Sequence, residues 1–117
     1  MGSRAQVLIK DTGIYLYTHW GSKTVEEDVR TALRAAKRGS RLDEVEYLTR
    51  IIFCHLITKV NELHDTTGYG IGIEEYGDND VLITVHSKGR TVEVADGDGG
   101  VAVRYSFDDF ISPITED

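Results

Sequence analysis

A chain of 117 residues, 40% of them hydrophobic, is long enough for one core and short for two, so a single domain over residues 1–117 is expected. Thirteen basic residues against twenty acidic ones leave a formal charge of −7, which argues against binding built on nucleic-acid backbone contacts. The lone Cys54 excludes an intrachain disulfide and no apolar run approaches the ~18 residues of a membrane helix, so a cytoplasmic protein is expected.

Gln6–Lys10 reads as a first strand, and Asp11-Thr12-Gly13 as a hairpin loop with glycine in the left-handed position. The return strand, Ile14 to Trp20, alternates cleanly, with Ile14, Leu16 and Thr18 on one side and Tyr15, Tyr17 and His19 on the other. A helix then starts at Ser22 or Thr24. Thr24 with Glu27 has the form of a capping box, and Val25, Val29, Leu33 and Ala36 recur at helical spacing. Arg34, Lys37 and Arg38 crowd its last turn, with Gly39 expected at C′. Asp43 and Glu46 form a second box, and Leu42 with Tyr47 a hydrophobic staple, opening a core helix that runs to about Leu63. Its apolar positions are Val45, Leu48, Ile52, Leu56, Val60 and Leu63.

From Gly68 the signal turns to strands. Tyr69, Ile71 and Ile73 alternate with glycines, followed by Val81–His86, a strand around Val92 and Val94, and one from Val101 to Tyr105. Phe107–Ile111 has the form of a closing helical turn. Short turns between these strands predict a four-stranded antiparallel meander. The expected fold is α+β in the order ββααββββ, with an N-terminal β-hairpin, two helices on one face of the sheet, and the meander.

Motifs for chemistry are sparse. His55 and His64 lie nine positions apart, about half a turn out of phase on a helix, and no paired-Cys or His-Glu-x-x-His pattern occurs. Asp96-Gly97-Asp98-Gly99-Gly100 lacks the closing carboxylate of a calcium loop, since Phe107 stands at the twelfth position. Gly68-Tyr69-Gly70-Ile71-Gly72 follows a helix and precedes strands, the reverse of a phosphate loop. Its bare face is expected to admit close packing of a helix. No nucleophile–base pair is legible, so no catalytic residue, metal or cofactor is assigned.

The expected site is therefore one of binding. Tyr15, Tyr17, His19 and Trp20 supply aromatic surface, Arg34 and Arg38 cations, and Tyr69 and Gly70 the glycine strand. At Tyr15–Trp20 and Thr67–Gly72 the chain resembles small uncharacterised proteins of bacteria and their phages, which carry a Tyr-x-His-Trp hairpin and a Gly-Tyr-Gly-Ile-Gly segment. Those proteins often follow His-Trp with Asp-Gly and Tyr-Pro, where this chain has Gly21-Ser22-Lys23. The resemblance brings no activity, but it implies a mobile-element origin and a host-defence antagonist that works by binding.

The leading expectation is thus a non-catalytic sponge for a planar, anionic, nucleotide-type immune signal. Alternatives are an acidic inhibitor that occupies a basic surface of a host defence complex, in the manner of an anti-CRISPR protein, and a small hydrolase. The weakly charged second sheet face also predicts a homodimer.

Overall fold

In the computed structural model, described over residues 4–19, 23–57, 69–77, 79–96 and 102–111, the most deeply buried strand lies inside the sheet. Strand β1 (Ala5–Ile9) has Ala5, Val7 and Ile9 at 0% exposure on one face and Gln6 at 1% on the other. A strand with so little solvated surface belongs in a sheet's interior. On one side it pairs antiparallel with β2 (Ile14–Thr18), Val7 facing Leu16. The hairpin closes as the sequence predicts: Gly13 takes φ +75° and donates its N–H to the Ile9 carbonyl at 2.8 Å.

Two helices follow, α1 (Val25–Arg38) and α2 (Val45–Ile57), before β3 (Tyr69–Gly72), β4 (Val81–His86), β5 (Thr91–Asp96), β6 (Val103–Ser106) and a short α3 (Phe107–Ile111). The sheet order is β3-β2-β1-β4-β5-β6. The four-stranded meander is therefore corrected. Only β4, β5 and β6 run as an antiparallel meander, while β3 pairs with β2, and β4 lies parallel to β1 with Val7 beside Ile83. Strand composition accounts for the change. Val81–His86 brings Ile83 and Val85, both fully buried, to the sheet centre, whereas the glycine-rich β3 packs little side chain and takes an edge.

The three helices described lie on the sheet face that carries Ala5, Val7 and Ile9, α3 against β5 and β6, and share one core with Leu16, Ile83, Val85, Val92 and Val94. In α1, Val25, Val29, Ala32, Leu33 and Ala36 are fully buried, the expected apolar stripe. Its N-terminal box does not form. The Thr24 hydroxyl donates to the Asp28 carboxylate at 3.3 Å and makes no capping bond, and Glu27 pairs with Arg30. The C-terminus also departs from expectation. Gly39 has φ −92° and acts as the C-cap, and the left-handed residue is Ser40 at φ 60°. Ser40 N–H donates to Lys37 and Arg41 N–H to Ala36, which is a Schellman closure shifted by one residue.

Helix α2 buries Leu48, Ile52 and Leu56. It begins at Val45, with the Leu48 N–H donating to the Glu44 carbonyl, one position later than a box at Asp43 requires. The Asp43 carboxylate accepts from Arg90 at 2.6 Å. The Tyr47 expected in a staple is 46% exposed and lies 4.3 Å beneath the Arg41 guanidinium. Val60, Leu63 and the expected helix end lie outside the described residues. None of the helices described is long and apolar enough to cross a membrane.

Candidate functional site

Residues that pair across strands share a face, so the register fixes what lies opposite the helices. One row of this outer face runs Gly70, Tyr17, Gln6, Leu82 and Ala95, and the next runs Gly72, Tyr15, Leu8, Thr84, Glu93 and Arg104. The connection from β3 to β4 has to pass both β2 and β1, and Gln6 holds it. Its amide nitrogen donates to the Glu74 carbonyl at 3.0 Å. Its amide oxygen accepts from the Tyr76 N–H and the Asn79 side chain, each at 2.8 Å. The Asn79 amide also donates to the Tyr76 carbonyl at 3.1 Å, closing the loop on itself. A buried glutamine bonded to three loop residues fixes where Tyr76 and Gly77 stand.

That placement creates a depression of about 590 Å³ lined by Arg4, Tyr17, Tyr76 and Gly77. The Tyr17 and Tyr76 rings meet edge to face, with centroids 5.3 Å apart and planes at 88°. The Tyr17 hydroxyl and His19 Nδ1 share a hydrogen bond of 2.9 Å, so the imidazole is held beside the phenol. At Gly70, directly across from Tyr17, no atom of the described residues beyond its chain neighbours lies within 4 Å of where a side chain would begin. The neighbouring ground is therefore open.

Tyr15 stands one step along the same face, where its hydroxyl donates to the Glu75 carboxylate at 3.3 Å. Burial, then the Glu75 charge and this hydrogen bond, push the Tyr15 phenol above its ordinary value. The folded state thus keeps a proton that the unfolded chain gives up near pH ~10. The stability tied to it is complete below that value and is lost as pH rises through the folded-state pKa. Urea unfolding from pH 9 to 11 should show an alkaline decline that is shallower in Tyr15→Phe, and an identical decline in both proteins would remove Tyr15 as its source.

The residues expected to form the site divide. Tyr17, His19 and Gly70 come together, and Tyr15 adjoins them along the strand. Tyr69 is corrected. It pairs with Thr18, and both belong to the helix-side face, where Tyr69 packs against the core. Arg34 and Arg38 are corrected as well, because α1 lies across the sheet from Tyr17. Arg34 donates to the Ile111 carbonyl at 3.0 Å, and Arg38 is exposed at the end of α1. Among the described residues no helix seats on the glycines of β3, since Gly70 and Gly72 lie on the face opposite α1 and α2 with nothing within 4 Å of an added side chain. Trp20 lies outside the described residues.

Sequence reading missed Arg4 and Tyr76. The alternation of β1 carried the first signal, because Arg4 precedes Gln6 and Leu8 at the same parity. Tyr76 had no such signal, as only the long-range Gln6 knot brings it there. Among the described residues no three His, Cys, Asp or Glu side chains gather as a metal-binding set. Comparisons with protein-family models, curated proteins and solved structures find no match. The chemistry is therefore read from the geometry. An arginine fork suits phosphate or carboxylate oxygens, and the two phenol rings offer π surface to a flat ring system.

Proposed function

We propose that the protein is a non-catalytic binder of a planar, anionic small molecule of the nucleotide type, working as a phage- or mobile-element-encoded sponge for an immune signal. The observation that carries this reading is the meeting of Arg4, Tyr17 and Tyr76 around one depression, with His19 bonded to Tyr17. The base stacks on a tyrosine ring over the open ground by Gly70, and the phosphate meets the guanidinium. Here the cation comes from Arg4, in place of Arg34 and Arg38.

Thermal-shift measurements with nucleoside monophosphates, cyclic mononucleotides and cyclic dinucleotides test the reading. A ligand present at a hundredfold excess over its Kd stabilises the folded state by about 2.7 kcal/mol, a rise of several degrees for a domain of this size. Arg4→Gln and Tyr17→Ala should each weaken binding by about tenfold or more, equivalent to ~1.4 kcal/mol. If no nucleotide raises the melting temperature, the sponge reading fails.

A further inference from the structure

Positive charge is scarce around the depression. Among the described residues that line it, Arg4 is the cation, and acidic residues adjoin it. The Asp80 N–H donates to the Arg4 carbonyl at 2.8 Å, which seats an aspartate beside it in the backbone. The Tyr15 hydroxyl donates to the Glu75 carboxylate at 3.3 Å, and Tyr15 stands two residues from Tyr17 on the same face of β2. Asp80 and Glu75 are both exposed, in a chain whose formal charge is −7. A ligand therefore gains from Arg4 once, and each further negative charge meets repulsion.

The two rings set a second limit. Rings that clamp a base lie parallel, one on either side of it. Tyr17 and Tyr76 instead meet at 88° with centroids 5.3 Å apart, so the edge of one already closes on the face of the other. A base stacks on the outside of this pair, not within it. Stacking accepts any base, because every base has a π face. The Tyr17 hydroxyl, which could read a base edge, is bonded to His19.

Resting on the reading of this depression as a nucleotide site, we propose that its ligand class is the cyclic mononucleotide: one base and one singly charged phosphodiester. A phosphate monoester carries about −1.5 to −2 at pH 7, and a triphosphate more, so both exceed what Arg4 balances. A cyclic dinucleotide brings a second base and a second phosphodiester, for which the described lining has no partner. The site selects by charge and tolerates any base.

Titration calorimetry on the full chain, at low salt with metal chelated, tests this with cyclic AMP, cyclic UMP, AMP, ATP and cyclic di-AMP. Cyclic AMP and cyclic UMP should bind within about tenfold of each other. AMP should bind about threefold more weakly than cyclic AMP, and ATP and cyclic di-AMP at least about tenfold more weakly. Raising the salt should shrink the gap between cyclic AMP and ATP as the repulsion is screened. Glu75→Gln keeps an acceptor for the Tyr15 hydroxyl, and it should improve ATP binding about fivefold but cyclic AMP binding by less than about twofold. Affinity that climbs with each added phosphate, or cyclic di-AMP as the tightest ligand, overturns the assignment and leaves the nucleotide reading in place. Discrimination between cyclic AMP and cyclic UMP beyond about a hundredfold overturns it as well. If none of the five binds, the nucleotide reading falls and the assignment falls with it.

Discussion

Phe110→Ala should destabilise the protein by about 3–5 kcal/mol, the usual range for truncating a fully buried aromatic ring. Phe110 is 1% exposed, lies 5.5 Å from the Tyr105 ring and sits 4.5 Å below the Arg30 guanidinium. Its backbone is engaged as well. Arg30 Nε donates to the Phe110 carbonyl at 2.7 Å, and Arg34 Nε to the Ile111 carbonyl at 3.0 Å. Five residues cannot sustain a helix alone, so α3 exists through these contacts. The two guanidiniums supply donors and positive charge where the helix ends in unpaired carbonyls. Urea titration should show a lower midpoint at unchanged m-value. Phe110→Leu should lose much less, about 1–1.5 kcal/mol, because it keeps most of the apolar volume. A loss under ~1 kcal/mol in Phe110→Ala would mean that α3 can leave without opening the core.

Gln6→Leu should cost about 2–4 kcal/mol, although leucine matches glutamine in size and β1 is otherwise apolar. The substitution removes the partner of the Glu74 carbonyl and of the Tyr76 N–H and one of the two bonds of the Asn79 amide, all part-buried, and an unsatisfied group costs roughly 1–3 kcal/mol unless it reaches water. The loop escapes part of that penalty by lifting off the sheet, which keeps the total below the sum. Amide exchange at Tyr76 should accordingly accelerate far more than exchange in β4. If Gln6→Leu were neutral and Tyr76 exchange unaltered, the knot would not be what holds the loop. Binding at the depression should weaken in the same variant, because one wall has moved.

The helices and strands were legible because local signals govern them. The period of two in Ile14–Thr18 and the stripe of Val25, Val29, Leu33 and Ala36 depend only on which side chains seek the core. Strand order was not legible, since Tyr69–Gly72 and Val81–His86 both read as strands and nothing local says which one lies beside β1. The candidate site divides along the same line. Tyr17 and His19 share a strand face by alternation, so the sequence could pair them. Arg34 and Arg38 looked available because a cation cluster on a helix is visible from sequence, whereas the carbonyls of α3 that Arg34 caps are not. Thr24 and Asp43 show the limit of capping patterns: each has the right neighbour three residues on, yet each side chain takes another partner.

The parallel pairing of β1 with β4 also sets a timetable for synthesis. Residues 5–9 leave the ribosome early, but the strand that completes their ladder spans residues 81–85. Until those residues emerge, the β1–β2 hairpin is a two-stranded ribbon with one apolar edge unclosed, and isolated hairpins are marginal in water. The helices that follow cannot bury their stripes fully, because half of the sheet beneath them is still unmade. A nascent chain that lacks residues 81–85 leaves one side of β1 without its ladder, and incompletely paired apolar strands of that kind are prone to aggregate or recruit chaperones. A pairing of such sequence separation also makes the final step a search over a long loop, which slows folding relative to a helical bundle of equal length.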